Sequence, residues 1–172
     1  MNTYIVLLRG INVGGKNLLP MNELKLLLES NGFENVSTYI QSGNIILQSN
    51  TDPKNVMKTL IQSQFGFSPE ILVLSDIEFD LSVKNNPFSE HEGKLVHFYY
   101  CKNTPKMDIA KLKKFISETE SYELSGNVFY LHAPDGIGRS KLVANIESCL
   151  GIPATGRNLN TINKLMGMIA NA

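Results

Sequence analysis

The tripeptide Ser-Gly-Asn occurs twice, as Ser42-Gly43-Asn44 and as Ser125-Gly126-Asn127. Each copy joins an extended segment to an apolar one, which is typical of a β-hairpin, because Gly and Asn adopt the turn conformations that other residues avoid. In each half of the chain a segment with helical apolar spacing precedes the hairpin and another follows it. A chain that repeats this order is constrained to form two similar α+β units.

The predicted elements follow the same order in the two halves. The first half predicts a strand over residues 4–8, a helix that starts near Pro20, the hairpin, a helix after Pro53 and a strand in EILVLS. The second half predicts a strand in LVHFYYC, a helix containing Ile109, the hairpin and a helix closed by Gly151. The order βαββαβ is that of the ferredoxin-like unit.

The second half is expected to depart from this order at its end. After Gly151 the run TGRNLNT, rich in Gly and Asn, predicts a loop that leads into a terminal helix, INKLMGMIA. We therefore predict two related ferredoxin-like subdomains from an internal duplication, with a C-terminal helix. Their expected limits are residues 1–82 and 93–172, with residues 83–92 as a linker, because Pro87 and the polar residues around it break both periodicities.

Composition limits the classes of function. The 172 residues carry 16 basic and 16 acidic side chains, so the chain as a whole lacks the positive charge that attracts nucleic acid. The apolar run near the N-terminus ends at Leu8, which is too short for a signal peptide or a membrane span. Cys101 and Cys149 have no neighbouring Cys or His ligands, so we expect structural thiols and no metal site. These features predict a cytoplasmic protein, and we expect a monomer.

All three arginines lie in runs of Gly, Asn, Ser and Thr: Arg9 in RGINVGGKN, Arg139 in DGIGRSK and Arg157 in TGRNLNT. A guanidinium group beside donor-rich backbone is suited to bind carboxylate or phosphate in a bidentate manner. The placement of the arginines therefore predicts an anion-binding surface.

The first of these runs contains the strongest candidate. Gly14 and Gly15 allow the backbone N–H groups to form a concave anion site, with Arg9, Asn12 and Lys16 as further donors. The alternative is a flexible connection in which the glycines only provide positive φ angles. The run also fits most of a nucleotide-binding P-loop pattern. We disfavour that function, since Asn17 replaces the hydroxyl residue that would hold Mg²⁺ and Pro20 delays the helix.

Three further sets of residues are candidates for the same ligand. Each has a structural alternative: a hairpin turn for the first, a helix N-cap for the second, and a cap of the terminal helix for the third. Free N–H groups at a helix start, with basic residues beside them, favour anion binding in the second set. The sets are Ser42 and Asn44; Arg139, Ser140 and Lys141; and Arg157, Asn158 and Thr161.

Five ordered motifs, RGINVGGKN, TYIQSGN, NPF, GRSKL and TxRNxxT, resemble the signatures of a family of small bacterial proteins known only as a domain of unknown function. The resemblance covers nearly the whole chain. It implies a two-subdomain α+β fold with internal duplication, and it implies no activity. The family pattern has an aromatic residue after TxRN, whereas this chain has Leu159 there and the small Gly156 nearby, so stacking of that residue on a ligand is not expected here.

Two classes of function remain open. The residues favour a protein that binds a small phosphorylated or carboxylated ligand through its Arg, Gly and Asn loops. The alternative is an RNA- or protein-binding module without catalytic activity, in which the sheets form the contact surface. RNA is not favoured, because the chain lacks the aromatic and basic pattern of RNA-reading sheets. No Ser-His-acid set or carboxylate pair is recognisable, so the sequence leaves enzymatic activity open and identifies no cofactor.

Overall fold

A computed structural model of the chain describes residues 1–171 and contains eight strands, seven α-helices and one 3₁₀ turn in that range. The first half of the chain consists of β1 (Asn2–Arg9), α1 (Met21–Ser30), β2 (Glu34–Tyr39), β3 (Asn44–Ser49), α2 (Lys54–Phe65), β4 (Glu70–Ser75) and α3 (Asp76–Lys84). The second half consists of a 3₁₀ turn (Gly93–Leu95), β5 (Val96–Cys101), α4 (Ile109–Phe115), β6 (Ser121–Ser125), β7 (Val128–His132), α5 (Lys141–Ala144), α6 (Ile146–Leu150), β8 (Ala154–Asn158) and α7 (Leu159–Ala170).

The strands form two four-stranded sheets with the orders β2-β3-β1-β4 and β6-β7-β5-β8. All paired neighbours run antiparallel. In both sheets the first strand of the half is central, and the last strand lies at the edge beside it. This is the ferredoxin-like topology, and it confirms the predicted mixed α and β fold with two similar halves.

The second half does not lack its last strand, and the prediction of a loop in TGRNLNT was wrong. Residues Ala154–Asn158 form β8, which pairs with β5 and places Gly156 opposite Tyr99. A Cβ at Gly156 would lie 2.8 Å from Cε1 of Tyr99, so the glycine provides room for the buried ring. Gly and Asn have low strand propensity, but pairing with a central strand overrides that preference.

The two Ser-Gly-Asn copies lie in equivalent hairpins but not in equivalent turns. In the first hairpin Tyr39 pairs with Asn44, and residues 40–43 form the turn. In the second hairpin Ser125 pairs with Val128, so only two residues form the turn. In each sheet the central strand donates a hydrogen bond to the hairpin turn. Leu8 N–H of β1 donates to Gly43 O, and Cys101 N–H of β5 donates to Asn127 O, each at 2.8 Å.

Each half has its own hydrophobic core between the sheet and its helices. The first core is built around Val6 and Leu8 of β1, and the second around Tyr99 and Cys101 of β5. Alternate residues of the same central strands, such as Ile5, are also fully buried, so both faces of these strands are covered. The two cysteines are buried free thiols, and burial raises the pKa of Cys101 to about 11.

The helix ends follow local signals in the sequence. Asp108 and Ser140 cap α4 and α5 by accepting hydrogen bonds from Lys111 N–H and Val143 N–H. Gly151 ends α6 in the left-handed conformation, as the sequence predicts.

The chain divides into two compact units. The first unit comprises Met1–Leu81 together with the residues from Lys164 onward, and the second comprises Ser82–Asn163. The divisions fall inside α3 and α7.

We expect Gly43→Ala to destabilise the protein much more than Gly126→Ala. A Cβ at Gly43 (φ +91°) would lie 2.7 Å from Leu8 Cβ and 2.8 Å from Ile11 Cδ1, whereas nothing lies within 4 Å of one at Gly126 (φ +57°). Left-handed backbone costs alanine about 1–2 kcal/mol, and overpacking adds about 1–3 kcal/mol. Urea unfolding should show a loss of about 3 kcal/mol or more for Gly43→Ala and about 1 kcal/mol for Gly126→Ala. Equal losses would contradict this packing.

Candidate functional site

The loop of residues 10–19 in the first unit, here called the Gly loop, connects β1 to α1. Five of its residues have positive φ angles, and two of the five are not glycine. Left-handed backbone is uncommon for residues other than glycine. These angles lie between 52° and 77°, and the residues are Gly10, Asn12, Gly14, Gly15 and Asn17. The backbone conformation of the loop therefore favours Gly and Asn at these five positions, because these residues adopt positive φ angles more readily than others.

The tip of the Gly loop is a small hairpin. Asn12 N–H donates to Asn17 O, and Lys16 N–H donates to Val13 O, both at 3.0 Å. Gly14 and Gly15 form the two central positions of the turn, with φ angles of 58° and 74°, as in a type I′ turn. Within residues 1–171 their N–H groups have no hydrogen-bond partner, and a Cβ on either glycine would meet nothing within 4 Å. The turn thus has two unbonded backbone donors on exposed residues next to the exposed Lys16.

Asn12 holds the Gly loop in place. Its Oδ1 accepts from Leu19 N–H at 2.7 Å, and its Nδ2 donates to Leu19 O at 3.0 Å. The same amide donates to Gln41 O at 2.9 Å, which joins the Gly loop to the turn of residues 40–43. Asn17 adds a bond from Nδ2 to Gly10 O at 3.0 Å. The Asn12 amide is fully used by the loop, so its role in this structure is positioning.

The turn of residues 40–43 lies beside the Gly loop, as these bonds require. Ser42 is exposed, whereas Asn44 is fully buried and donates to Tyr39 O at 2.9 Å and to Ser42 Oγ at 3.0 Å. Ser42 is thus the member of this predicted pair that faces solvent. Ile40 has a φ angle of +49° although it is β-branched, and its side chain is 48% exposed.

The two basic residues of this region differ in their surroundings. Lys16 is exposed at the tip of the Gly loop. Arg9 is half-buried at the end of β1, where it lies in register with Glu70 of β4. Lys16 is therefore the more accessible cation for a ligand at the tip.

The second predicted site contains a carboxylate that the sequence analysis missed. Ser140 Oγ donates to Glu120 Oε2 at 2.6 Å and accepts from Val143 N–H at 3.1 Å. Its hydroxyl is thus used as an N-cap and a carboxylate partner, while Arg139 and Lys141 remain exposed. Glu120 lies 20 residues before Ser140, so no local pattern could have indicated the contact.

The third predicted set belongs to a strand and a helix cap instead of a loop. Arg157 lies in β8 with 9% exposure and donates from Nη1 to Gly156 O at 2.9 Å. Burial lowers the pKa of its guanidinium to about 10. Asn158 Oδ1 accepts from Thr161 N–H at 3.0 Å, and Thr161 is 7% exposed. These contacts give Asn158 and Thr161 a structural role at the start of α7.

A buried tyrosine network in the second unit was also missed. Ser82 Oγ and Tyr100 Oη lie 2.8 Å apart, and Tyr130 Oη donates to Ser82 O. Burial raises the pKa of Tyr100, and it raises the pKa of Tyr130 to about 12. Like Phe98, these rings are almost fully buried, so this sheet does not expose them as platforms for bases.

Two further properties describe residues 1–171. No group of three or more His, Cys, Asp or Glu side chains in that range is arranged to hold a metal ion. Within the same residues, no helix has the length and apolar character needed to cross a membrane.

We expect Arg157→Lys to lower the melting temperature without any ligand. The guanidinium is buried and bonded to Gly156 O, and lysine lacks the planar group that makes this contact. A loss of about 2 kcal/mol, or roughly 4–8 °C, is expected. Arg139→Lys, at an exposed position, is the control and should melt as the wild type does. If the two variants melted alike, the structural role of Arg157 would have to be rejected.

Stability should fall as the pH drops below about 6.5, in part through His97. This imidazole is 7% exposed, and its Nε2 has no hydrogen-bond partner in the described part of the chain. Burial lowers its pKa, so the unfolded chain binds the proton more tightly than the folded one. Urea unfolding at pH 7.5 and pH 5 should therefore show a smaller pH-dependent loss for His97→Leu than for the wild type. An unchanged loss would show that His97 does not contribute.

Comparison with known proteins identifies the family. The model of a family described as a protein of unknown function, DUF1697, matches residues 1–130. A solved structure of the conserved bacterial protein SP0830 from Streptococcus pneumoniae is 25% identical, has a TM-score of 0.70, and aligns over 97% of this chain and 98% of that one. No curated protein matches the chain. The expected membership in a family of unknown function is confirmed over residues 1–130, and the chain belongs to the DUF1697 family.

Proposed function

We propose that the chain binds a small ligand carrying a phosphate or carboxylate group at the tip of the Gly loop. The observation that carries the proposal is the exposed turn at Gly14 and Gly15, whose two N–H donors lie beside Lys16. Consecutive backbone donors next to a cation are a favourable arrangement for an oxyanion. The neighbouring turn, bonded to Asn12 through Gln41 O, carries the exposed Ser42.

The rigidity of the Gly loop supports the proposal. Left-handed backbone at Asn12 and Asn17 is held by hydrogen bonds of their own side chains. A loop held in this way does not have to be ordered when the ligand arrives, and the affinity is correspondingly higher. Unusual backbone conformations of this kind are concentrated at functional sites.

Charge favours the Gly loop over the loop at Arg139. The Gly loop contains Lys16 and no acidic side chain, and Glu70 lies in register with Arg9 at the end of β1, outside the loop. At the Arg139 loop, the carboxylate of Glu120 is bonded to Ser140 and would repel a bound anion. Arg139 and Lys141 therefore do not need to take part in the proposed site.

The alternative of an RNA-reading sheet has less support. The aromatic residues that such a sheet would expose, including Phe98 and Tyr130, are buried in the second unit. The exposed donors lie on loops of the first unit instead.

We expect phosphate or carboxylate compounds to raise the melting temperature through Lys16. The screen would use inorganic phosphate, pyrophosphate, acetate and benzoate, together with sugar phosphates, nucleotides and short RNA. A ligand at 100 times its Kd stabilises the protein by about 2.7 kcal/mol, which is roughly 5–10 °C for a chain of this size. Lys16→Ala should remove most of the shift, because it deletes the exposed cation at the tip.

Lys58→Ala, at an exposed position on α2, is the matched control and should retain the full shift. Asn12→Ala releases the loop from Leu19 and Gln41 and should also weaken the shift. A shift that survives Lys16→Ala, or no shift with any compound, would refute the proposed site.

A further inference from the structure

Ile40 has a backbone conformation that is unfavourable for a β-branched residue. Its φ angle of +49° lies in the left-handed region, which β-branched residues adopt rarely because the side chain crowds the backbone. The side chain is 48% exposed, so burial provides only part of the compensation. Asn or Gly would occupy such a turn position at lower cost.

The position of Ile40 relates it to the Gly loop. The next residue, Gln41, accepts the hydrogen bond from the Asn12 amide at 2.9 Å, so the turn and the loop are fastened together. Gly43 N–H closes the turn onto Ile40 O at 3.4 Å. The backbone of Ile40 is thus fixed in a turn that is bonded to the Gly loop at Asn12.

The Gly loop carries exposed apolar side chains of its own. Val13 is 67% exposed and immediately precedes the donor Gly14, and Leu18 is 63% exposed two residues after Lys16. With Ile40, the two joined loops thus carry three exposed apolar side chains. A ligand consisting of an anionic group alone would leave these side chains unused.

We propose that Ile40 determines specificity by contacting an apolar or aromatic group attached to the ligand's phosphate or carboxylate. This inference rests on the proposed function, since the anionic group is held by the Gly14-Gly15 turn and Lys16. The ligand is then a phosphate monoester or a carboxylic acid whose substituent is an apolar or aromatic group. Covering an exposed isoleucine with such a group should improve affinity by about tenfold over an anion without it.

The test compares two phosphate monoesters that have the same charged group. Methyl phosphate and phenyl phosphate would be titrated onto the full chain, with acetate and benzoate as the corresponding carboxylates. The wild type should bind the phenyl compounds about tenfold more tightly than the methyl compounds. Ile40→Asn should abolish this preference and leave the affinity for methyl phosphate or acetate unchanged.

The melting temperature of the same variant without ligand distinguishes a role in specificity from a role in packing. Asn tolerates positive φ, so Ile40→Asn should raise the melting temperature without ligand by roughly 2–4 °C. Ile40→Gly should also lose the preference. Leu26→Gln, at an exposed apolar position on α1, is the control and should retain it.

The outcomes distinguish this inference from the proposed function. If methyl and phenyl compounds bind equally well to the wild type, or if Ile40→Asn keeps the preference, the inference is overturned while the anion site stands. A lower melting temperature for Ile40→Asn would show that Ile40 is there for packing, which also overturns the inference. If none of the four compounds binds, the anion site itself fails, and this inference fails with it.

Discussion

The contact between Leu8 and Gly43 determines how the first unit is built. Leu8 N–H donates to Gly43 O at 2.8 Å, and a Cβ on Gly43 would lie 2.7 Å from Leu8 Cβ. Only a glycine permits the turn to approach the central strand so closely. Beyond this contact β1 ends and the chain enters the Gly loop, so the same constraint acts at the end of the central strand, where the candidate site begins.

Asparagine side chains have the main structural role in the candidate site. Asn12 and Asn17 adopt left-handed backbone conformations and use their amides to bond the loop internally. The amide of Asn44, which is fully buried, bonds the neighbouring turn by donating to Tyr39 O and to Ser42 Oγ. The polar residues that look most like ligand donors in the sequence therefore hold the backbone, and the exposed N–H groups and Lys16 remain for a ligand.

The two units share their topology, but their loops have different chemistry. The loop after β1 carries Lys16 and no acid, whereas the Ser140 hydroxyl in the loop before α5 is bonded to Glu120. The turns of the two hairpins also differ in length, although each accepts a hydrogen bond from the central strand of its own sheet. Similar folds thus present different surfaces, because sheet pairing constrains the strands and leaves the loops free to vary.

The sequence by itself determined the order of the elements other than α3 and β8, the two hairpins and the helix end at Gly151, because these depend on local periodicity and turn chemistry. Tertiary structure decided the rest. Strand β8 could not be recognised from Gly156 and Asn158, since its stability comes from pairing with a central strand and from the room that Gly156 leaves for Tyr99. The contacts of Asn12 with Gln41 and of Ser140 with Glu120 join residues 29 and 20 positions apart. Local sequence patterns carry no information on such pairs, because only the packed chain brings their atoms within hydrogen-bonding distance.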